Sequence, residues 1–162
     1  MDFGLSRDNP DLNLQTEMTF CGSPEYLSPE MLLCQGRSHM IDFYSLGTVL
    51  YEFVMGVPPF YSENQEEMFD QILNGDVDVK GDPRIPDMSE LSHECRDIIL
   101  RLLDKNPQTR LGVRGFDEFK NHPYFHVEGL TVDEYWQAVE LKYEPPPPTL
   151  IPSPNENYQI ME

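Results

Sequence analysis

The stretch MIDFYSLGTVLYEFVMG (residues 40–56) is the longest apolar run in the chain and decides its fold class. Because a helix makes about 3.6 residues per turn, these apolar side chains fall on nearly every face of it. Such a pattern predicts a fully buried helix, which Gly56 and the following proline pair end. Its carboxylates, Asp42 and Glu52, must then be paired or hydrogen-bonded. The run is interrupted by both acids and is too short to cross a bilayer, so no membrane insertion is expected.

Helical patterns also dominate the rest of the sequence, and strand patterns are nearly absent. Ser92 is a good helix cap, and apolar residues follow it at the spacing of one helix face. Thr131 and Glu134 have the spacing of a capping box at the start of another helix. The sequence also predicts helices that begin at residue 29 and that cover residues 64–74 and 115–121. We therefore expect a mainly α-helical fold.

A second stretch, TFCGSPEYLSPE (residues 19–30), is predicted to be a shaped loop. Pro24 and Pro29 forbid a regular helix or a central strand across it, and Gly22 permits a turn that other residues resist. Loops held by a rigid scaffold are where binding and catalytic residues concentrate. This stretch is therefore the first candidate for a functional site.

The charge of the chain limits its partners. Eleven basic residues stand against 29 acidic ones among 162, which gives a net charge of −18. Nucleic acid and anionic membranes are not expected as partners, because binding their phosphates requires positive charge. Basic peptides would be attracted instead. The alternative is that the acidic residues only keep the surface soluble.

The cysteine and histidine spacings show no disulfide or metal pattern. Cys21, Cys34 and Cys95 are odd in number and form no CxxC, which favours a reducing compartment, the cytoplasm or the nucleus. His122 and His126 lie four residues apart, but the proline between them breaks the helix that a zinc site would need. We therefore expect no metal site at these residues.

The order of several motifs resembles that of protein kinases. Asp2-Phe3-Gly4 resembles the Asp-Phe-Gly motif, and Ser28-Pro29-Glu30 stands where kinases carry Ala-Pro-Glu. Asp42 opens the apolar helix in the register of the family's central helix, and Arg110 matches the arginine that pairs with the glutamate of Ala-Pro-Glu. The match covers nearly the whole chain. It implies the helical C-terminal lobe of a protein kinase without the β-rich N-terminal lobe.

Within that family, the sequence resembles the AGC serine/threonine kinases, those like protein kinases A, B and C. Residues 19–26 (TFCGSPEY) are similar to the AGC activation segment, and residues 58–61 (PPFY) and 110–112 (RLG) fit as well. The proline-rich tail resembles the AGC C-terminal extension. The resemblance implies an activation segment over residues 1–30, a helical lobe over 31–125 and an extended tail over 126–162.

The resemblance also implies the cofactors and the switch of a complete kinase. Asp2 would ligate Mg²⁺ beside the phosphates of ATP, and Gly4 would let the segment turn sharply behind it. Thr19 would be phosphorylated by an upstream activating kinase, with Arg7 as the basic partner of the phosphate. ATP and Mg²⁺ are thus the cofactors expected of the complete kinase.

Substrate contacts implied by the resemblance fall in the loop and in the apolar helix. Glu25 and Glu52 match positions that contact arginines N-terminal to the phosphoacceptor, so basic peptides are the expected substrates. The alternative for Glu52 is a structural carboxylate. The other substrate-binding candidates are Phe20, Ser23, Pro24 and Leu27. Structural roles are implied for Asp42 and for an ion pair between Glu30 and Arg110.

The groups that would carry out catalysis have no counterpart in this sequence. The glycine-rich loop, the strand lysine and the His-Arg-Asp catalytic loop are missing, so no residue is assigned as the catalytic base or as that lysine. The chain alone is expected to be inactive and to bind ATP and Mg²⁺ weakly or not at all. It is either a fragment of a longer kinase, which we favour, or a genuine truncated protein. The alternative function is a non-catalytic, pseudokinase-like binding module that docks kinase substrates or regulators.

Overall fold

The structure of the chain, a computed structural model, describes residues 22–35, 38–77 and 88–142, with side chains up to residue 141. The chain divides into two compact units, Met1–Phe125 and His126–Glu162. All regular secondary structure in the described residues is helical, so the prediction of a mainly α-helical fold is confirmed. In these same residues, no helix has the length and apolar character that crossing a membrane requires.

Six α-helices and three short 3-10 helices lie in the described residues. The α-helices are α1 (Pro29–Leu32), α2 (Met40–Met55), α3 (Gln65–Asn74), α4 (His93–Leu102), α5 (Phe116–Lys120) and α6 (Val132–Lys142). The 3-10 helices are Pro24–Tyr26, Met88–Glu90 and Pro123–Phe125. Helices α1 to α5 belong to the first unit, and α6 belongs to the second.

Side-chain caps explain where several of these helices begin. Asn64 accepts hydrogen bonds from the backbone of the first turn of α3, and Ser92 accepts one from Cys95 N at the start of α4. Thr131 and Glu134 form the predicted capping box, with Glu134 N donating to Thr131 Oγ1 at 3.3 Å and Thr131 N donating to Glu134 Oε2 at 2.8 Å. These bonds satisfy N–H groups that have no partner within their own helix.

The core of the first unit forms where α2 packs against α4. Gly47 permits this close approach, because a Cβ atom added at this residue would lie 2.8 Å from Leu102 Cβ. The buried residues of the contact include Thr48 on α2 and Ile98 and Ile99 on α4, all with no exposed area. Helix α2 ends at Gly56, whose φ of 84° places it in the left-handed region that glycine adopts without strain.

Helix α2 is not fully buried, contrary to the prediction from its apolar sequence. Leu46 and Phe53 are 41% and 82% exposed. They border an apolar groove of about 160 Å³. The groove is lined by Leu46, Val49, Leu50, Phe53, Ile98, Leu102, Phe119, Tyr124 and Phe125. Tyr44, Thr48 and Tyr51 of α2 are buried, whereas this face is open, because a helix buries only the faces that other elements contact.

Candidate functional site

The candidate site lies in the segment just before α1. Pro24 occupies the first turn of the 3-10 helix, where its missing N–H removes no hydrogen bond. Tyr26 N donates to Ser23 O and Leu27 N donates to Pro24 O, each at 3.2 Å. These two bonds close a tight turn, and the segment leaves it in an extended conformation toward α1.

Tyr26 connects this turn to α2 by two hydrogen bonds. Its phenol O–H donates to Glu52 Oε2 at 2.6 Å, and its backbone carbonyl accepts from Ser45 Oγ at 3.1 Å. Ser45 and Glu52 are seven residues apart, so they lie on the same face of α2, two turns from each other. The turn is therefore held along α2 at two points.

Two carboxylates, those of Glu52 and Glu25, act on the phenol of Tyr26. The hydrogen bond to Glu52 is the main cause that raises the pKa of Tyr26, and the desolvation of the phenol adds to it. The negative charges of Glu52 and Glu25 raise this pKa further. Both carboxylates thus act on the same phenol, and both side chains are only partly buried. The site has the charge and the exposure to bind a cationic group.

The other loop residues predicted to contact substrate differ in exposure. Ser23 is exposed and Pro24 is half-buried, so both can be reached from solvent. Leu27 is only 3% exposed and packs in the interior. The substrate contact predicted for Leu27, as part of the lining of a pocket for the residue after the phosphoacceptor, stays a prediction.

The segment is anchored to the core through Glu30 and Arg110. Arg110 Nη1 donates to Glu30 Oε1 at 2.6 Å, and Nη2 donates to Glu30 Oε2 at 2.9 Å. Nη1 also donates to Met40 O, and Nε donates to Asp104 O. Arg110 has no exposed area, yet four of its five N–H groups have partners, which offsets the cost of burying the charge. The pair joins α1 to the start of α2.

Asp42 lies in the first turn of α2 and is exposed. Desolvation of its carboxyl raises the pKa of Asp42, while the nearby His39 acts in the opposite direction. The structural role implied by the resemblance, in which Asp42 accepts hydrogen bonds from a catalytic loop, stays a prediction.

Several predicted site residues lie outside the described residues. These are Asp2, Gly4, Arg7, Thr19 and Phe20. Their proposed contacts with Mg²⁺, ATP, phosphate and substrate therefore stay predictions. The part of the chain that the structure describes holds no group of three or more His, Cys, Asp or Glu residues that could bind a metal ion.

His122 is held by contacts of its own. Its Nε2 lies 2.9 Å from Asp97 Oδ2, and its Nδ1 accepts from Tyr124 N at 3.2 Å. The acceptor role of Nδ1 places the ring proton on Nε2, facing the carboxylate. Since both ring nitrogens are engaged and the side chain is buried, His122 ties the 3-10 helix Pro123–Phe125 to α4.

Sequence reasoning did not identify Ser45 or the role of Tyr26. The signal was present, because Ser45 and Glu52 are two of the few polar residues in an apolar helix and their spacing places them on one face. The sequence did not indicate which residue Ser45 and Glu52 bind. Tyr26 lies 19 residues before Ser45 and 26 before Glu52, and nothing local indicates which part of the loop reaches this face.

Comparisons with known proteins identify the family of the chain. The family model described as "Protein kinase domain" matches residues 1–125. The chain is 40% identical over 153 residues to serine/threonine-protein kinase YPK2/YKR2 of Saccharomyces cerevisiae. The matched residues are 94% of this chain and 20% of that protein. It is 41% identical over 146 residues to serine/threonine-protein kinase gad8 of Schizosaccharomyces pombe, covering 90% of this chain and 23% of that one.

A third relative is serine/threonine-protein kinase Sgk1 of Bos taurus, 42% identical over 127 residues, or 78% of this chain and 27% of that protein. The chain belongs to the protein kinase domain family, and the resemblance to AGC serine/threonine kinases is confirmed. It spans about a fifth to just over a quarter of the length of these curated relatives.

Proposed function

We propose that this chain forms the peptide-docking part of an AGC serine/threonine kinase. The complete kinase transfers the γ-phosphate of ATP to serine or threonine residues in basic peptides. Family membership supports the reaction. The observation that carries the docking role is the 2.6 Å hydrogen bond from Tyr26 to Glu52, which holds a carboxylate beside the turn.

Glu52 keeps the capacity to bind a cation while it accepts this bond. A carboxylate offers about four lone-pair sites, and Tyr26 contacts only Oε2. Arginine suits such a site because its planar guanidinium donates two parallel hydrogen bonds to a carboxylate. Glu25 adds a second negative charge nearby, and the net charge of −18 attracts basic peptides from a distance. Phe20, Ser23 and Pro24 contact the peptide close to the phosphoacceptor.

The remaining functional residues of the proposal come from the resemblance. Asp2 supplies a carboxylate oxygen, the kind of ligand that Mg²⁺ prefers, and Gly4 permits the turn behind it. Bound Mg-ATP supplies the phosphate to be transferred. Thr19 is the site at which an upstream kinase acts, and Arg7 pairs with its phosphate. We place the protein in the cytoplasm or nucleus, since the cysteine pattern fits a reducing compartment.

Titration with an arginine-containing peptide tests the docking role. We expect Glu52→Gln to weaken binding roughly tenfold or more, because hydrogen bonds to charged groups contribute about 1.5–3 kcal/mol. The matched control is Glu128→Gln, which removes the same charge from an exposed residue of the second unit. Peptide affinity is measured by isothermal titration calorimetry at fixed salt concentration. Equal affinities of the two variants would contradict a specific contact at Glu52.

A second candidate function is a binding module without catalysis. It is favoured by the turn at Pro24–Tyr26, which is held on α2 by the bonds of Tyr26 with Ser45 and Glu52 and presents two carboxylates, Glu25 and Glu52, that do not depend on catalytic groups. Titration of the same chain with Mg-ATP tests the nucleotide role proposed for Asp2, and measurable nucleotide binding supports the kinase. Absence of nucleotide binding is expected of both functions, so the module is supported only if the chain also binds the peptide as a stable fold, whereas a collapsed, dye-binding chain supports a fragment.

A further inference from the structure

Two hydroxyl-bearing residues of α2 use their side chains differently. Thr48 Oγ1 donates to Tyr44 O at 3.3 Å, four residues earlier in the same helix. Ser45 could make the same kind of bond, which is common for Ser and Thr within helices. Its Oγ instead donates to the carbonyl of Tyr26, outside the helix, at 3.1 Å. The hydroxyl of Ser45 therefore joins two elements, and that of Thr48 serves its own helix.

The carbonyl that Ser45 contacts belongs to the residue whose phenol contacts Glu52. Tyr26 is thus held at its backbone by one turn of α2 and at its side chain by another, about 10 Å further along the helix. The turn around it is closed by its own backbone bonds, so Glu25 moves with Tyr26 when the backbone moves. A shift of this carbonyl along α2 would displace the phenol from Glu52.

We propose that Ser45 is a positioning residue of the peptide-docking site. Its hydrogen bond to the Tyr26 carbonyl sets the place of the turn along α2 and keeps the phenol on Glu52, with Glu25 beside it. This inference rests on the proposed function, in which these carboxylates bind a basic peptide. Ser45 itself touches no peptide. Its removal changes the orientation of the carboxylates and leaves the charge of the site unchanged.

The test compares Ser45→Ala with Thr48→Val, which removes a hydroxyl from the next turn of the same helix. The first measurement is the pKa of Tyr26, followed by NMR of ¹³C-tyrosine-labelled protein and assigned with Tyr26→Phe. The bond from Glu52 raises this pKa, so we expect Ser45→Ala to lower it toward the ordinary value and Thr48→Val to leave it unchanged. If Ser45 affected only the stability of the fold, its removal would not change the pKa of Tyr26.

The second measurement is the affinity for an arginine-containing peptide. We expect Ser45→Ala to weaken binding roughly threefold to tenfold, the range of one lost neutral hydrogen bond. Ser45→Thr keeps the hydroxyl and is expected to restore both the affinity and the pKa of Tyr26. Thermal unfolding of all variants shows whether each of them is folded.

The two measurements separate the two proposals. If the pKa of Tyr26 is unchanged in folded Ser45→Ala, the positioning role of Ser45 is overturned, regardless of the peptide affinity. Failure of the wild-type chain to bind the peptide overturns the proposed function, and the titration still decides whether Ser45 positions Tyr26. A loss of the bond to Glu52 in both Ser45→Ala and Ser45→Thr also counts against the inference, because the hydroxyl is then not what matters.

Discussion

Helix α2 has two sides with opposite environments. On one side, Tyr44 and Gly47 are buried beside the Glu30–Arg110 ion pair and α4. On the other side, Leu46 and Phe53 border the open groove. The difference shows that hydrophobicity selects residues able to be buried, whereas neighbouring elements decide which of them are buried. The two sides should therefore respond very differently to substitution.

The largest loss of stability is expected for Arg110→Met, on the side of α2 that α4 and the ion pair cover, here called the closed side. Removing the guanidinium leaves Glu30 as a buried carboxylate without its partner, which costs about 3–5 kcal/mol of unfolding free energy. Urea denaturation followed by circular dichroism measures this change.

The control for that substitution is Arg101→Met. Arg101 is 43% exposed and pairs with Glu118 at 3.4 Å, a contact worth about 0–1 kcal/mol. If both variants lost the same stability, burial would not be what distinguishes the two ion pairs.

A smaller loss is expected for Gly47→Ala. The new Cβ would lie 2.8 Å from Leu102 Cβ, a contact that α2 and α4 must separate to relieve. Overpacking of this kind costs about 1–3 kcal/mol, and the measurement is again urea denaturation. A gain in stability of about 1 kcal/mol, as for an unhindered glycine in a helix, would show instead that the two helices adjust freely.

The closed side also contains a residue whose change should stabilise the protein. Tyr44 is fully buried, and its hydroxyl has no hydrogen-bond partner among the described residues. Burial accordingly raises the pKa of this phenol well above its ordinary value. Tyr44→Phe removes an unsatisfied polar group, so we expect a gain of about 1 kcal/mol in unfolding free energy.

Tyr26→Phe is the matched substitution, because the same hydroxyl is lost from a residue that donates to Glu52. We expect it to lower stability by about 1 kcal/mol. Differential scanning calorimetry of both variants gives the two shifts in melting temperature. Shifts of the same sign would contradict the difference between a satisfied and an unsatisfied hydroxyl.

The smallest effect on stability is expected on the open side, for Phe53→Ser. With 82% of the side chain exposed, we expect a change in unfolding free energy within about 0.5 kcal/mol. Binding of a hydrophobic dye should decrease, because the exposed apolar patch becomes smaller. Ile98→Ala is the comparison, since Ile98 is fully buried and its truncation costs about 2–5 kcal/mol. A comparable loss for Phe53→Ser would mean that the groove is closed in solution.

Much of the helical architecture could be predicted because its signals are local. Ser92 and the pair Thr131 and Glu134 mark helix starts, and each bonds to a residue three positions away. The ion pair of Glu30 with Arg110 was implied by a resemblance, and the structure brings these side chains together across 80 residues. No local sequence pattern indicates a contact between residues this far apart in the chain. The groove side of α2 was missed for the same reason, since its neighbours are distant in sequence.

The sequence by itself determines that the described part of the chain is helical, where its helices begin and that the net charge is strongly negative. These properties depend on composition and on residues within one or two turns. Only the tertiary structure decides that Ser45 and Glu52 hold Tyr26, that Arg110 has four bonded N–H groups and that Leu27 is buried. A hydrogen bond requires two groups within about 3 Å, and chain packing alone brings distant residues that close.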